Sequence, residues 1–409
     1  MLDQIPNEFR EFIPSFYHNN EDYFPISEPI SPEPIQPLPK KFTVKEMLKI
    51  RRQQWSSEHS VAPQSENLEF FPNQASPQLT CPTPPATPNP AEHYPVTPPD
   101  TAYSPAPCAK VQMTLFHWQI QQEAKKVEGM TTEQVNMQDS DGDTFLHIAV
   151  AQGRRALAYV LAAKMAGFGS LDIKEHNGQT ALQIAAVSNH HLILQDLLTH
   201  GAQISTMDLW GRSPLHVCAQ KGHFLSLQSI YKTLRGIGQT FNVEIYNYDG
   251  LTPLHVAVLS HNAVVKEIRQ LENPCSFMTS ELAQRKHKYL ECIKMLMLMG
   301  ASYGTKELKS GQTCLHMACE EANVDLLQLF LNQPSSLSVV NAKTFSGNTA
   351  LHIVSSLQNI KHQAEAAKLL MKRGADPGTR NFENDFPSQL VPGGPIGEKV
   401  RQILKGKYI

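Results

Sequence analysis

The fold of this chain is decided by one stretch, Tyr246-Asn247-Tyr248-Asp249-Gly250-Leu251-Thr252-Pro253-Leu254-His255-Val256-Ala257. Asp249-Gly250 is a turn dipeptide, because glycine adopts positive φ without steric cost. Thr252 suits the N-cap of a helix, and Pro253 suits the first helical position, where its missing N–H costs nothing. The stretch therefore predicts a turn that leads directly into a helix.

The same pattern recurs along the chain. Its turns hold Gly142, Gly178, Gly211, Gly250, Gly311 and Gly347, and a degenerate seventh copy has Asn384 instead. The successive steps are 36, 33, 39, 61, 36 and 37 residues. Ankyrin repeats have a period of about 33 residues and a Thr-Pro-Leu-His-x-Ala signature, so the long step marks an insertion in the fourth repeat. We predict an all-α ankyrin-repeat solenoid of about seven repeats, at residues 138–173, 174–206, 207–245, 246–305, 306–342, 343–378 and 379–407.

The distribution of proline separates this array from the region before it. Of the 29 prolines, 21 precede residue 111. We therefore predict that residues 1–110 are a disordered region rich in Pro, Ser and Thr, and that residues 111–137 are a capping helix or linker. Residues 8–24 interleave acidic and aromatic side chains, which is typical of activation segments and equally of a tail without a role.

Within the repeats, apolar spacing predicts second helices at 156–165, 192–198, 225–234, 289–299, 326–331 and 364–371. The inserted residues, roughly 271–288, are predicted to form an exposed loop or a longer second helix. One histidine recurs in most copies, at His147, His216, His255, His316 and His352. These histidines lie one per repeat, too far apart to share a metal ion, and we expect them to bond the turn of the neighbouring repeat.

A short amphipathic helix is predicted at about residues 38–55, inside the proline-rich region. Thr43 and Glu46 have the spacing of a capping box, and a basic and apolar stripe follows. Because so short a helix is marginal alone, we expect it to form on a partner. The same residues also suit a bipartite nuclear-import signal, and the two interpretations are compatible. The residues concerned are Lys40, Lys41, Val44, Met47, Leu48, Arg51 and Arg52.

Composition excludes several classes of protein. Residues 1–110 carry 8 Lys/Arg and 13 Asp/Glu, and the remainder carry 28 and 25, so neither part is basic enough to bind DNA alone. The longest apolar stretch, 156–169, is broken by Lys164 and too short to span a bilayer. The seven cysteines form no Cys-x-x-Cys motif, and no phosphate loop or hydrolase motif occurs. We expect an intracellular protein without enzymatic activity, cofactor or metal, and with no membrane contact.

The turn tips and two basic clusters are the predicted partner-binding surface. Trp210 and Tyr248 are large aromatic residues at tips where small polar residues are usual, which is typical of binding hot spots. The alternative is that both rings pack against adjacent turns. The basic clusters are expected to act through charge when DNA is present, and they contain Arg154, Arg155, Lys372, Arg373, Arg401 and Lys405.

The array resembles the inhibitor-of-NF-kappa-B family, which stacks six or seven ankyrin repeats with uneven spacing. The resemblance is closest to a nuclear member of that family, and it is carried by residues 142–155, 171–178, 247–255 and 401–407. The helix at 38–55 is similar to the short peptide with which co-activators of octamer factors (the OCA type) grip a POU domain on DNA.

The resemblance implies a nuclear co-regulator that binds DNA-bound NF-kappa-B dimers and modulates inflammatory genes, with POU factors as possible partners and DNA contacted only indirectly. Two alternatives remain. One is a cytosolic inhibitor that masks the dimer, although inhibitors of that kind have an acidic tail and residues 399–407 are basic. The other is a subunit that targets an enzyme.

Overall fold

A computed structural model describes residues 113–271, 275–358 and 360–406. All its helices lie within one compact unit, between Leu115 and Leu404. In order they are α1 Leu115–Val127, α2 Thr132–Asn136, α3 Phe145–Ala151, α4 Arg155–Gly167, α5 Ala181–Val187, α6 His191–Thr199, α7 Pro214–Lys221, α8 Phe224–Gly236, α9 Pro253–Gln270, α10 Ser276–Leu298, α11 Cys314–Glu320, α12 Val324–Leu331, α13 Ser336–Val339, α14 Ala350–Ser356, α15 Gln363–Lys372 and α16 Pro395–Leu404. The all-α ankyrin solenoid is confirmed.

Each repeat begins with a capped inner helix. Thr252 is the N-cap of α9, its hydroxyl accepts from the backbone N–H of His255, and Pro253 is the first helical residue. The same capping box opens α3, α5, α7, α11 and α14. Since these contacts join residues only three positions apart, the repeated Thr-Pro-Leu-His pattern is enough to set where the helix starts.

Four of the five recurring histidines connect neighbouring repeats through Nε2, as expected from the sequence, whereas Nε2 of His147 is buried without a hydrogen-bond partner. In His316, Nδ1 accepts from the backbone N–H of Thr313 at 3.1 Å. The proton must then lie on Nε2, which donates to the carbonyl of Ala342 in the next repeat at 3.0 Å. His216, His255 and His352 make the equivalent bonds. Burial lowers the pKa of His316 to about 4, so the ring stays neutral.

The second helices form the outer layer and share the core with the inner helices. Each of the predicted second helices is present, and most begin one or two residues earlier than predicted. Leu194, Leu227, Leu296 and Leu326 of the second helices are fully buried, and each inner helix adds a buried leucine, such as Leu254, together with small residues such as Ala257. Small residues beside leucines allow the helix pairs to pack closely.

The fourth repeat departs from its neighbours. In other repeats the inner helix breaks six residues after the histidine position, at Gly153, Asn189, Gly222 and Ala322, all with positive φ. His261 occupies that position in α9 and is helical, so α9 runs for 18 residues. The chain then returns through the 23-residue α10. The insertion is therefore a long helical hairpin, and lengthening of the first helix was not predicted.

Buried polar contacts hold this hairpin to the fifth repeat. The side-chain amide of Asn262 donates to the carbonyl of Met317 at 2.7 Å. The Asn323 amide donates to Asn262 at 2.7 Å and lies 2.9 Å from Nδ1 of His261. On the other side, the Tyr289 hydroxyl donates to the carbonyl of Gln220 at 3.1 Å. The hairpin is thus fastened to the repeats on both sides.

The two ends of the described array differ from its middle. At the start, α1 packs on α4, and Lys164 donates to the carbonyls of Val127 at 2.8 Å and Met130 at 2.6 Å. In the last repeat the inner helix is reduced to a 3₁₀ turn at Pro387–Gln389, followed by α16. Proline at both helix starts fits their first positions.

Candidate partner surface at the turn tips

A polar side chain closes each turn that precedes an inner helix. Asp208 illustrates the arrangement, because its Oδ1 accepts from the backbone N–H groups of Trp210 at 3.0 Å and Arg212 at 2.8 Å. The same position is held by Asp139, Glu175, Asn247, Glu307, Thr344 and Asn381, and each accepts a backbone N–H of its own turn. The turns are therefore rigid supports for the residue that follows.

That following residue is apolar and exposed in five successive repeats. We call these five residues the tip row. Their relative exposure ranges from 56% to 74%. They are Leu209, Tyr248, Leu308, Phe345 and Phe382.

Each tip-row residue rests on the turn glycine of the preceding repeat. The ring of Tyr248 lies against Gly211, and its backbone N–H donates to the carbonyl of Trp210 at 3.2 Å. Phe345 covers Gly311 and Phe382 covers Gly347 in the same way. Glycine is required beneath these side chains, both for space and because Gly211 has φ of +72°. One side of each ring is packed and the remainder faces solvent.

The structure places Trp210 and Tyr248 differently, although the sequence analysis treated them as equivalent. Tyr248 belongs to the tip row, and in the preceding repeat that position is taken by Leu209. Trp210 is half-buried, with the Arg212 guanidinium 4.6 Å from its ring centroid. One face of the Tyr248 ring thus packs against the adjacent turn, while a large fraction of the side chain stays exposed to solvent.

The predicted site residues did not include Leu209, Leu308, Phe345 or Phe382. A signal for them exists, since each directly follows the turn-closing polar residue. Leu209, Tyr248 and Phe345 also stand two residues before the turn glycine, and Phe382 stands two before Asn384, whose φ is +67°. Leu308 stands three before Gly311, because that turn is one residue longer.

Basic side chains run beside the tip row in the last three repeats. Lys306, Lys343 and Arg380 each stand two residues before a tip-row residue. The Lys306 ammonium lies 6.0 Å from the centroid of the Phe345 ring, and Lys343 Nζ donates to the carbonyl of Arg380 at 2.9 Å. The surface is therefore apolar with a positive border.

The predicted basic clusters divide into two groups. Arg155 forms a bidentate pair with Asp196, at 2.7 and 3.0 Å, and lies over the Phe116 ring. Arg401 donates to the carbonyl of Val391 at 2.7 Å. Arg154 is 3.5 Å from Glu123, and the Arg373 guanidinium contacts Asn332. Arg154, Arg155 and Arg401 are thus half-buried with partners inside the array, while Lys372, Arg373 and Lys405 are exposed.

Several other features bear on what the surface can do. Among the described residues, no group of three His, Cys, Asp or Glu side chains is placed to hold a metal ion. In the same part of the chain, every helix is too short or too polar to cross a bilayer. The predicted peptide at Lys40, Lys41, Val44, Met47, Leu48, Arg51 and Arg52 lies outside the described residues, as does the rest of 1–112.

The capped inner helices, the stacked second helices and the turn tips define an ankyrin-repeat protein. A family model described as ankyrin repeats (three copies) matches residues 112–208, 191–276 and 281–381. The chain is 40% identical over 275 residues to NF-kappa-B inhibitor delta from Mus musculus, which covers 67% of this chain and 80% of that protein. The chain belongs to the NF-kappa-B inhibitor family.

Two further relatives agree with this assignment. The chain is 54% identical over 306 residues to NF-kappa-B inhibitor zeta from Homo sapiens, covering 75% of this chain and 43% of that protein. It therefore spans less than half the length of that relative. The crystal structure of the ankyrin repeat domain of Bcl-3, described as a unique member of the IkappaB family, superposes with a TM-score of 0.52 at 28% identity, covering 65% of this chain and 100% of that one.

Proposed function

We propose that this chain binds DNA-bound NF-kappa-B dimers through its ankyrin repeats and acts in the nucleus as a transcriptional co-regulator of inflammatory and immune genes. The observation that carries the proposal is the tip row, an exposed apolar surface on an array of this family. It acts by binding alone and needs no cofactor. DNA is approached only through the partner.

The tip row has the composition of a binding surface. Aromatic residues with one face packed and one face exposed are already held in place, so little side-chain freedom is lost when a partner covers them. Tyr248, Phe345 and Phe382 meet this description, and basic side chains border them. Surfaces with aromatic centres and charged rims are typical of protein interfaces.

Charge favours a co-regulator over a cytosolic inhibitor that strips the dimer from DNA. Helix α16 and the residue that follows it carry Lys399, Arg401 and Lys405 against one acid, Glu398. Positive charge beside a DNA-bound partner attracts phosphates, whereas an inhibitor that displaces DNA gains from negative charge. The peptide containing Met47 and Leu48 adds a separate contact to POU factors, as its resemblance to the POU-binding peptide of octamer-factor co-activators implies.

The test is a mobility-shift assay with the full chain, a purified NF-kappa-B dimer and labelled DNA bearing its site. The co-regulator adds to the protein–DNA complex and slows it further. The inhibitor releases free DNA, and that result would overturn the proposal.

Matched variants connect the assay to the surface. The double change Phe345→Ser and Phe382→Ser should weaken the slow complex at least tenfold, since hot-spot residues cost about 2 kcal/mol or more each. The control is Phe277→Ser on α10, because Phe277 is as exposed as Phe382, at 74%, but lies on the helical hairpin. Equal loss with the control would exclude the tip row as the binding surface.

A further inference from the structure

The tip row has a regular repeat that limits what can bind along it. Its five residues come from consecutive repeats, and each leans on the turn of the repeat before it. Neighbouring inner helices pack at about 8–10 Å between axes, so successive tip-row residues are spaced by roughly that distance. A partner that contacts all five must present apolar groups at the same interval.

An extended chain in the polyproline II conformation meets this requirement. It has three residues per turn and rises about 3.1 Å per residue, so every third side chain points the same way at intervals of about 9.3 Å. A β-strand repeats on one face at about 6.6–6.8 Å and falls out of phase. An α-helix presents the same face after seven residues, at about 10.5 Å. Its apolar stripe drifts by about 20° per heptad, so successive apolar side chains of the helix turn away from the tip row.

The charge beside the tip row indicates which residues of the ligand lie between its apolar positions. In the segments 306–310, 343–347 and 380–384 the basic residues other than Lys309, which is paired, are Lys306, Lys343 and Arg380, and the acids are Glu307 and Glu383, a net of 3 − 2 = +1. Glu307 is buried and accepts the N–H groups of its own turn, so it adds little outward negative charge. Asp249, on the preceding tip, is paired with Lys309 at 2.9 Å. Acidic side chains between the apolar positions of a ligand therefore complement this border.

We propose that the tip row binds an extended segment of a partner protein in the polyproline II conformation, with an apolar side chain at every third position and acidic residues between. This inference rests on the proposed use of the turn tips as a partner surface. Aromatic-lined surfaces suit such segments, because the extended conformation is formed before binding and little order is lost.

The probe is a fluorescein-labelled peptide, five repeats of Leu-Pro-Glu, titrated onto the full chain and followed by fluorescence anisotropy. We expect it to bind at least tenfold tighter than a shuffled peptide of the same composition. Affinity should rise with each triplet from three to five and then level off at six, because the row has five members. Equal binding of the shuffled peptide, or no dependence on length, would overturn the proposal.

Variants place the peptide on the row. Phe345→Ser with Phe382→Ser should reduce peptide affinity at least tenfold, and Lys306→Glu should reduce it several-fold with a weaker effect at high salt. Phe277→Ser should change nothing. Tighter binding of a helical heptad peptide with Leu at every seventh position would contradict the extended ligand.

The two proposals fail separately in these experiments. A chain that forms the NF-kappa-B–DNA complex but ignores the Leu-Pro-Glu peptide contradicts only the extended ligand. A chain that binds the peptide on the tip row but forms no complex with NF-kappa-B contradicts only the proposed function.

Discussion

The ring of Tyr248 covers Gly211 so closely that a methyl group added to that glycine would lie 2.5 Å from ring carbon Cδ1. The contact joins the third and fourth repeats and also orients an exposed residue of the tip row. One pair of residues thus serves both stability and the candidate interface.

Gly211→Ala should therefore destabilise the array. Alanine at φ of +72° costs about 1–2 kcal/mol, and the contact with Tyr248 adds to that cost. Chemical denaturation measures the loss. Gly167→Ala is the control, since Gly167 ends α4 with ordinary φ and open space around it. A Gly211 variant as stable as the control would show that the turn relaxes freely.

Stability should fall as the solution is acidified from about pH 6.5 towards 4. Burial lowers the pKa of His147, His216, His255, His261 and His316 to about 4, while unfolded histidine titrates near 6.5. Below pH 6.5 the histidines of the unfolded chain bind protons, whereas the buried rings of the folded chain stay neutral. Each ring therefore lowers the free energy of unfolding by on the order of 3 kcal/mol at pH 4.

The second repeat supplies a matched variant for this effect. Gln183 occupies the histidine position there, accepts from the Thr180 N–H at 3.0 Å and donates to the carbonyl of Arg212 at 2.7 Å. His316→Gln should keep the stability at pH 7.5 within about 1 kcal/mol, because its hydrogen bonds are replaced. The slope of denaturation midpoint against pH should become shallower. An unchanged slope would mean that His316 titrates normally.

Asn323→Ala should loosen the joint between the helical hairpin and the fifth repeat. It removes the donor to Asn262 and leaves a buried acceptor, at a cost of about 1–3 kcal/mol, and it also removes the side-chain N-cap of α12. Hydrogen exchange should then increase first in α9 and α10. Asn242→Ala, at an exposed loop residue, is the comparison. Unaltered exchange in both helices would argue against a fastening role.

Trp210→Ala and Tyr248→Ala should differ in their effects. Tyr248 is exposed in the tip row, so its loss should weaken NF-kappa-B binding by about 2 kcal/mol. Trp210 is half-buried against Arg212, so its removal should lower the melting temperature as well. Calorimetry of binding and of unfolding separates the two. A melting temperature that drops more for Tyr248→Ala would reverse this assignment.

Lys372→Glu with Lys405→Glu should weaken the ternary complex with DNA and leave binding to free NF-kappa-B nearly unchanged. Both lysines are exposed, so reversal changes the surface charge alone. The effect should be larger at low salt, because screening shortens the reach of charges. Arg155 is unsuitable for this test, since its pair with Asp196 holds α4 to α6. Ternary affinity that ignores the reversals would favour the cytosolic inhibitor.

Much of the fold follows from contacts between residues close in the chain. The N-cap Thr252, Pro253 and His255 lie within four positions, so the repeated sequence pattern predicts the start of a helix wherever it occurs. The second helices follow from apolar spacing, and the long step of 61 residues located the insertion. The regular period of the histidines argued against a shared metal ion, and the likeness to ankyrin repeats gave the expected bonds to the next turn, which His216, His255, His316 and His352 make.

The surface depended on contacts between repeats, which no local pattern contains. Leu209, and not Trp210, occupies the tip row because the backbone N–H of Leu209 bonds to Asn177 of the preceding turn, which sets the direction of its side chain. The sequence alone suggests that Arg155 and Arg401 are free positive charges. In the structure Arg155 donates to Asp196, 41 residues away, and Arg401 donates to the carbonyl of Val391, 10 residues away. The helix α9 continues through His261, whose buried ring lies 2.9 Å from the side-chain amide of Asn323, 62 residues away in the chain. Local hydrogen bonds decide where helices begin, and the packing of one repeat on the next decides which side chains remain exposed to a partner.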